Sequence, residues 1–390
     1  MTTNNQAAPF AITIFESLAA AEASWRALEQ HATFTPYQRF DWLCGLVAAG
    51  AEPQGRIVIA LIAQDNVPVA LLPLIIEDMP LYRRARFLGS EQSNSDWMML
   101  APGFDPNADA LETIFALVAE KAGGFDLLLV QNQPASWAGR DNPLLRLPHA
   151  PGASNLYTTT IGGTPLPYVD TRIPAKHRGN LRRGRRRLEE SLGPVHLVRV
   201  NDAETLEMAH AAFLEQRSAR FDEMGVDNVF ATPMYRAFFR SAAEASFGAE
   251  RPVIVCHALM SGEEIIATVW GATAGDHYSL YINSTTSGPA SRFSLMGILI
   301  SDLMDELVSA GFQTFDLGLG DFAYKKEWTE PKAAYHGFFP LTAKGRAAAH
   351  LLRQRGAIKR RIKQDPRLWT LATNVRKTLF RLRGRKASAD

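Results

Sequence analysis

The order of hydrophobic periodicities along the chain repeats. Helical spacing gives way to a meander of β-rich runs, then to a helix and a further strand, and the whole succession starts again. At 390 residues there is room for two α/β units with a core each. The first pass opens with a strand around Ala11–Phe15, helical spacing over Leu18–His31, a turn at Thr35–Pro36 and a second helix from near Gln38 through Asp41, Trp42 and Leu46. Arg56–Gln64 and Val67–Glu77 follow, joined by the hairpin signal Asp65–Asn66. A strand near Ala85–Leu88, a helix over Leu111–Ala122 and a strand over Asp126–Gln131 complete the unit.

A Pro- and Gly-punctuated stretch, Pro134–Pro174, holds at most a few short strands before the second pass. There, Lys176–Leu192 is a strongly basic helix, Val195–Val200 a strand, and Ala203–Arg220 and Thr232–Ser246 helices. Pro252–Met260, Glu264–Ala272 and His277–Ile282 read as consecutive antiparallel strands, Leu295–Ala310 as a helix capped by Gly311, and Thr314–Leu317 as a strand. The likeness of the two passes is one of order and not of sequence. The expected partition is residues 1–170, residues 171–340 with the expected active site, and a basic tail of residues 341–390.

That tail holds 15 Lys and Arg against Asp365 and Asp390, a charge of +13, so a chain of net +2 is −11 over residues 1–340. Its helix-forming segments, Gly345–Arg355 and Leu368–Leu382, intersperse Leu351, Ile358, Trp369, Leu371, Val375, Leu379 and Phe380 with cations. This pattern suits an anionic membrane surface, and suits equally a tail packed back on the acidic body. Cys44 and Cys256 supply neither a disulfide framework nor zinc-ligand spacing, so a reducing compartment is expected and a metal is not. With no signal-peptide pattern and no run of about 18 apolar residues, the sequence reads as cytoplasmic, with peripheral attachment at the inner face of a membrane as an option.

Three segments of the second half carry a resemblance: EEIIATVWGATAGDHYSLYINST at Glu263–Thr285, SLMGILISDLMDELVSAG at Ser294–Gly311 and FDLGLGDFAYKKEW at Phe315–Trp328. Together they resemble the GNAT-type acetyltransferases associated with bacterial cellulose and exopolysaccharide biosynthesis, and more distantly the Fem-type aminoacyltransferases. Asp316, Gly318, Gly320, Tyr324, Lys325 and Trp328 match the form of that family's last element. In the first half, TPYQRFDWL at Thr35–Leu43, PVALLPLII at Pro68–Ile76 and RFLGSEQSNSDW at Arg86–Trp97 resemble its N-terminal features, so coverage runs over about residues 30–340. The resemblance implies two tandem GNAT-like α/β (α+β) domains with mixed, mostly antiparallel sheets, and acyl transfer from acetyl-CoA or another acyl-CoA. The implied acceptor is a small molecule or glycan precursor, placed between the halves.

Such transfer needs a seat for the donor's phosphates, a polarised thioester carbonyl and a base near the nucleophile. By the resemblance the phosphates meet the turn Ser287–Gly297 that opens the helix, with Ser287, Gly288, Arg292, Ser294, Met296 and Gly297 as donor contacts. The alternative is a helix-capping loop with no ligand. A bulge or splayed end in Tyr278–Asn283 would free a backbone N–H for the carbonyl.

Asp316 stands where packing alone calls for an aliphatic residue, and with Asp321 forms the leading carboxylate pair for binding or deprotonating the acceptor; a structural Asp serving the glycine turn is the competing reading. Tyr324 and Lys325 would protonate the leaving thiolate or hold an anion, or Lys325 is a solvated helix residue. His257 and His277 are either bases or partly exposed strand residues. Gln38, Trp42, Asp96, Trp97 and Tyr281 complete the substrate-side set, with a buried Trp beside a capping Asp as the alternative for the Asp-Trp pairs.

Lys176–Arg187 holds seven cations with no acid before Glu189, a patch for tRNA, a phosphorylated carrier or a lipid surface, or one balanced by Glu189, Glu190 and the acidic body. A Fem-like, tRNA-dependent transferase and a non-catalytic accessory of a membrane polysaccharide synthase therefore stay open beside the acyl-CoA enzyme. No Gly-x-Ser-x-Gly nucleophile motif occurs, so transfer is expected to be direct.

Overall fold

The computed structural model describes residues 10–52 and 54–387, with the side chains of Lys377 and residues 379–387 outside that description. The expected apolar contributions of Leu379 and Phe380, and the last three residues of the tail, thus lie outside the described residues. In chain order the elements begin β1 (Ala11–Phe15), α1 (Leu18–Glu29), α2 (Phe40–Ala48), β2 (Arg56–Gln64), β3 (Val67–Asp78), β4 (Arg83–Phe87), β5 (Met99–Leu100), α3 (Ala108–Lys121) and β6 (Leu127–Pro134). The two-residue strands β7 (Ser136–Trp137) and β8 (Arg140–Asp141) precede β9 (His149–Thr160), α4 (Tyr168–Arg172), α5 (Ala175–Leu192), β10 (Val195–Arg199), α6 (Ala203–Met224) and α7 (Pro233–Glu244). Then come β11 (Ile254–Ser261), β12 (Glu264–Ala274), β13 (His277–Thr285), α8 (Leu295–Ser309), β14 (Thr314–Leu319), α9 (Lys325–Trp328), β15 (Glu330–Pro340), α10 (Ala343–Gln364) and α11 (Pro366–Ala387).

These elements form two compact units. The first takes residues up to Ser154 together with Lys332–Arg360, and the second takes Asn155–Pro331 together with the residues from Arg361 onward. The divisions differ from the expected 170 and 340 because two strands carry the chain across them. β9 ends by pairing with β14 of the second unit (Leu156↔Leu319 to Thr160↔Thr314), and β15 pairs with β6 of the first (Ala334↔Pro134 to Pro340↔Leu127). Both strands were hidden in sequence by Gly, Pro and polar residues. In β15, for instance, Gly337 leaves the space that Phe339 and Val130 fill.

In the first unit the strands run in the order β1-β2-β3-β4-β6-β15, antiparallel except for the parallel pair β4–β6. The β2–β3 hairpin turns on Asp65 and Asn66, both at positive φ, as the Asp-Asn signal predicts. Val58, Leu72, Leu74, Phe87, Phe115 and Leu128 belong to its core.

In the second unit the order is β9-β14-β13-β12-β11-β10, again antiparallel except for one parallel pair, β13–β14. Helix α8 buries Ile298, Leu299, Leu303 and Met304 against a sheet face that supplies Leu259, Val269, Tyr278 and Phe315. Gly311 follows the helix at φ +84°, as expected for a left-handed stop. No helix among the described residues is long and apolar enough to cross a membrane.

Candidate active site

The parallel pair β13–β14 is joined over three residue pairs only, His277↔Thr314, Tyr278↔Phe315 and Ser279↔Asp316. Beyond them β13 continues to Thr285 while β14 keeps its pairing to β9, so the two strands part. The register of β12 with β13 also shifts between Trp270↔Ile282 and Gly271↔Leu280, which leaves Tyr281 unopposed as a bulge. Both devices anticipated for Tyr278–Asn283 are present: a bulge that turns main-chain groups out of the ladder and a parted strand end.

A cavity of about 470 Å³ lies beyond the parting. Thr285 at the end of β13, Ser294, Leu295, Met296 and Gly297 at the start of α8, and Tyr324 after β14 all line it, with His177, Asn180 and Leu181 of α5 and Glu327 and Trp328 of α9. Its size falls within the range of small-molecule sites. The start of α8 presents main-chain N–H groups that have no partner within a helix, a favourable setting for an anion.

The cavity brings together Ser294, Met296, Gly297 and Tyr324 of the expected set. Ser287, Gly288 and Arg292 fall outside its lining; the Arg292 guanidinium instead lies over the ring of Phe293, 4.7 Å from its centroid. Gly297 serves packing more than ligand approach, because a Cβ there would stand 2.5 Å from Leu181 Cδ2.

Tyr324 precedes the single turn of α9 and is half-buried. Burial holds its hydroxyl above the usual phenol range, opposed by a hydrogen bond with Asn283 on the free end of β13 and by the charge of Arg217. Arg217, on α6, donates from Nη1 to the carbonyl of Asn283 at 3.3 Å and lies over the rings of Phe221 and Phe230. Its guanidinium makes no ion pair among the described residues, and burial lowers its pKa to about 10. Sequence reading missed Arg217, although a cation four residues after Phe213, on the line of Leu206, Ala209 and Phe213, was a usable signal. It missed His177 and Glu327 as well, which face each other at 3.9 Å in the cavity wall from positions 150 residues apart.

Asp316 is not placed to deprotonate a substrate. Its carboxylate is wholly buried and engaged on both oxygens, with Oδ2 2.6 Å from His277 Nε2 and Oδ1 accepting from Ser279 Oγ at 2.9 Å and the Gly318 N–H at 2.7 Å. The other ring nitrogen of His277 meets Thr314 Oγ1 at 2.6 Å. This network clamps the three residue pairs that hold β13 to β14, and His277 is therefore buried and paired where partial exposure was expected. His257 is likewise buried, 3.0 Å from Glu306.

Lys325 is buried and outside the cavity lining, neither the solvated helix residue of one reading nor, with its ammonium on main-chain carbonyls, placed as the acid or anion clamp of the other. Its Nζ donates to the carbonyls of Leu317 (2.6 Å), Gly318 (3.3 Å) and Leu319 (2.8 Å), the stretch where the register of β14 with β9 shifts. Desolvation lowers its pKa to about 8 against the pull of Asp316 and Asp321. Asp321 is exposed, outside the cavity lining, and accepts from Asn155 Nδ2 (2.8 Å) and the Tyr157 hydroxyl (3.1 Å). Tyr281 packs its ring 5.8 Å from that of Phe239.

In the first unit, Gln38, Trp42, Asp96 and Trp97 do gather, with Gln38 Nε2 donating to Asp96 Oδ1 at 3.2 Å. All four are at most 1% exposed, so the two indoles fill the interior and line no groove. Burial pushes the Asp96 carboxyl up to about 7 against the opposing effects of Ser93, Arg86 and Gln38.

Residues 175–326 match the family model of an acetyltransferase (GNAT) domain. No curated protein matches the chain. Solved structures with a similar fold include FemX, 11% identical with a TM-score of 0.58, the match covering 87% of this chain and 99% of that one. The C-terminal domain of a candidate lysylphosphatidylglycerol synthetase from Agrobacterium fabrum is 11% identical at a TM-score of 0.52, covering 86% and 95%. The L-PGS of Bacillus licheniformis is 11% identical at 0.50, covering 85% and 96%. At such identities the likeness is one of fold: mixed α/β, mostly antiparallel and GNAT-like, with the match to the GNAT domain model running from the start of α5 into α9.

Proposed function

We propose that the chain transfers an acyl group, acetyl by preference, from acyl-CoA to an amine or hydroxyl of a small-molecule or glycan-precursor acceptor, in polysaccharide or cell-envelope biosynthesis. The observation that carries the reading is the parting of β13 from β14 beside the bulge at Tyr281, with the cavity at the start of α8 directly beyond it. A thioester laid in the gap meets main-chain N–H groups turned out of the ladder, which polarise its carbonyl and stabilise the oxyanion. The acceptor's nitrogen or oxygen attacks that carbonyl, and the C–S bond breaks as the tetrahedral adduct collapses.

Tyr324 gives its proton to the departing thiolate, a role for which a hydroxyl held protonated by burial is suited. The acceptor's proton leaves to the Glu327 and His177 pair in the same wall. Asp316 and Lys325 act by position: one clamps the strands where they are joined, the other gathers the β14 carbonyls where the register shifts.

A Fem-like reading with an aminoacyl-tRNA donor rests on the fold shared with FemX. Calorimetric titration with acetyl-CoA and longer acyl-CoAs tests the main proposal. Binding is expected, and it is expected to disappear in Met296→Trp, which fills the cavity; a protein that binds no acyl-CoA ends the reading.

A further inference from the structure

Helix α5 carries seven cations, and the carboxylates around it account for four. Arg178 and Arg182 share Asp170 (3.5 and 2.8 Å), Arg185 meets Asp302 (2.7 Å) and Glu189 (3.2 Å), and Arg186 meets Glu190 (3.5 Å). Lys176, Arg183 and Arg187 have no carboxylate within 4 Å among the described residues; Arg183 Nη2 donates to Asn180 Oδ1 at 2.5 Å. With Asn180, these three recur at steps of four, three and four residues and so occupy one exposed face.

That face borders the cavity. Asn180 is part of the cavity wall, and α5 is pressed against the donor loop by two close approaches. A Cβ on Gly184 would stand 3.1 Å from the Phe293 carbonyl oxygen, and one on Gly297 would stand 2.5 Å from Leu181 Cδ2. From Lys176 to Arg187 the face runs about 16 Å along the helix axis.

Helix stability does not explain the pattern. Lys176 sits in the first turn, where the helix dipole disfavours a cation and where α5 has no acid, and Arg183 and Arg187 repel each other at i, i+4. An anion laid along the face relieves both penalties.

We infer that Lys176, Asn180, Arg183 and Arg187 form a phosphate track for the nucleotide handle of the acyl donor. The inference rests on the reading of the adjoining cavity as the donor's acyl end. The chemistry recognised is a nucleotide's phosphates, as carried by CoA with its pyrophosphate and 3′-phosphate or by the 3′ end of an RNA.

The test is a titration of CoA, dephospho-CoA and a short RNA hairpin ending in CCA against wild type, the triple variant Lys176→Gln/Arg183→Gln/Arg187→Gln, and Met296→Trp. Wild type should bind at least one phosphate-rich probe, with CoA about tenfold tighter than dephospho-CoA if CoA is the handle, and binding should weaken with salt. The triple variant should lose about tenfold or more for that probe, with its melting temperature no lower than wild type's, since it breaks no ion pair and removes the two helix penalties. Loss confined to CoA assigns the handle to CoA, and loss confined to the hairpin assigns it to RNA. If Met296→Trp leaves binding intact while the triple variant abolishes it, the track stands and the cavity reading falls. A triple variant that binds every probe as wild type does, or a wild type that binds none, overturns the track.

Discussion

Replacing Asp96 by Asn isolates the charge of one carboxylate without changing its shape. In the folded protein Asp96 is wholly buried, has one oxygen without a partner among the described residues, and titrates at about 7; its ordinary value is 3.8. Between those two pH values the folded chain keeps a proton that the unfolded chain has released. Stability contributed by this group is therefore present in full below pH 4, falls as pH rises toward 7, and is level above that. At about 1.4 kcal/mol per pH unit the loss comes to about 4 kcal/mol. Asn is neutral throughout, so urea unfolding of wild type and Asp96→Asn at pH 4, 6 and 8 should show wild type losing about 4 kcal/mol relative to the variant across the series. Any constant effect of the amide cancels in that comparison. Curves that stay parallel within about 1 kcal/mol would refute the claim that Asp96 is buried as a neutral acid.

Three further perturbations separate the roles assigned above. Tyr324→Phe should reduce kcat roughly 100-fold or more with acyl-CoA affinity and melting temperature unchanged, as read from thiol release and calorimetry. Lys325→Met, which strips the donor from three β14 carbonyls, should instead cost roughly 2–4 kcal/mol of stability by chemical unfolding, with activity lost in proportion. Gly345→Ala should cost roughly 3 kcal/mol or more in the same assay, because a Cβ there falls on the Asp126 carbonyl, a main-chain group that cannot swing aside.

The elements that carry clean periodicity were legible from residues alone: the β2–β3 hairpin at Asp65–Asn66, the three-strand meander, and α8 with its Gly311 stop. The strands that complete each sheet were not. β9 and β15 take their partners from far along the chain, and a pattern set by distant partners leaves little trace in a local window. Asp316 shows the same limit at the site. Its polarity marked it as special, but whether a buried acid faces substrate or braces a strand is decided by His277 and Ser279, 39 and 37 residues away. Tyr324, which lines the cavity, was singled out by its motif, whereas Arg217, His177 and Glu327 draw notice only from the cavity and strand end that the fold assembles around them.

The passage of β15 into the first unit has a consequence for how the chain is made. A ribosome finishes residue 154 long before the strand that covers β6 exists, since the first unit also needs Lys332–Arg360. At roughly 5–20 residues per second, the 186 residues from 155 to 340 take roughly 10–40 s to synthesise, and through that interval the outer edge of β6 stands bare on the nascent chain. The half that emerges first thus waits for a strand made after most of the other half, and a nascent-chain chaperone would have its natural work at Leu127–Pro134.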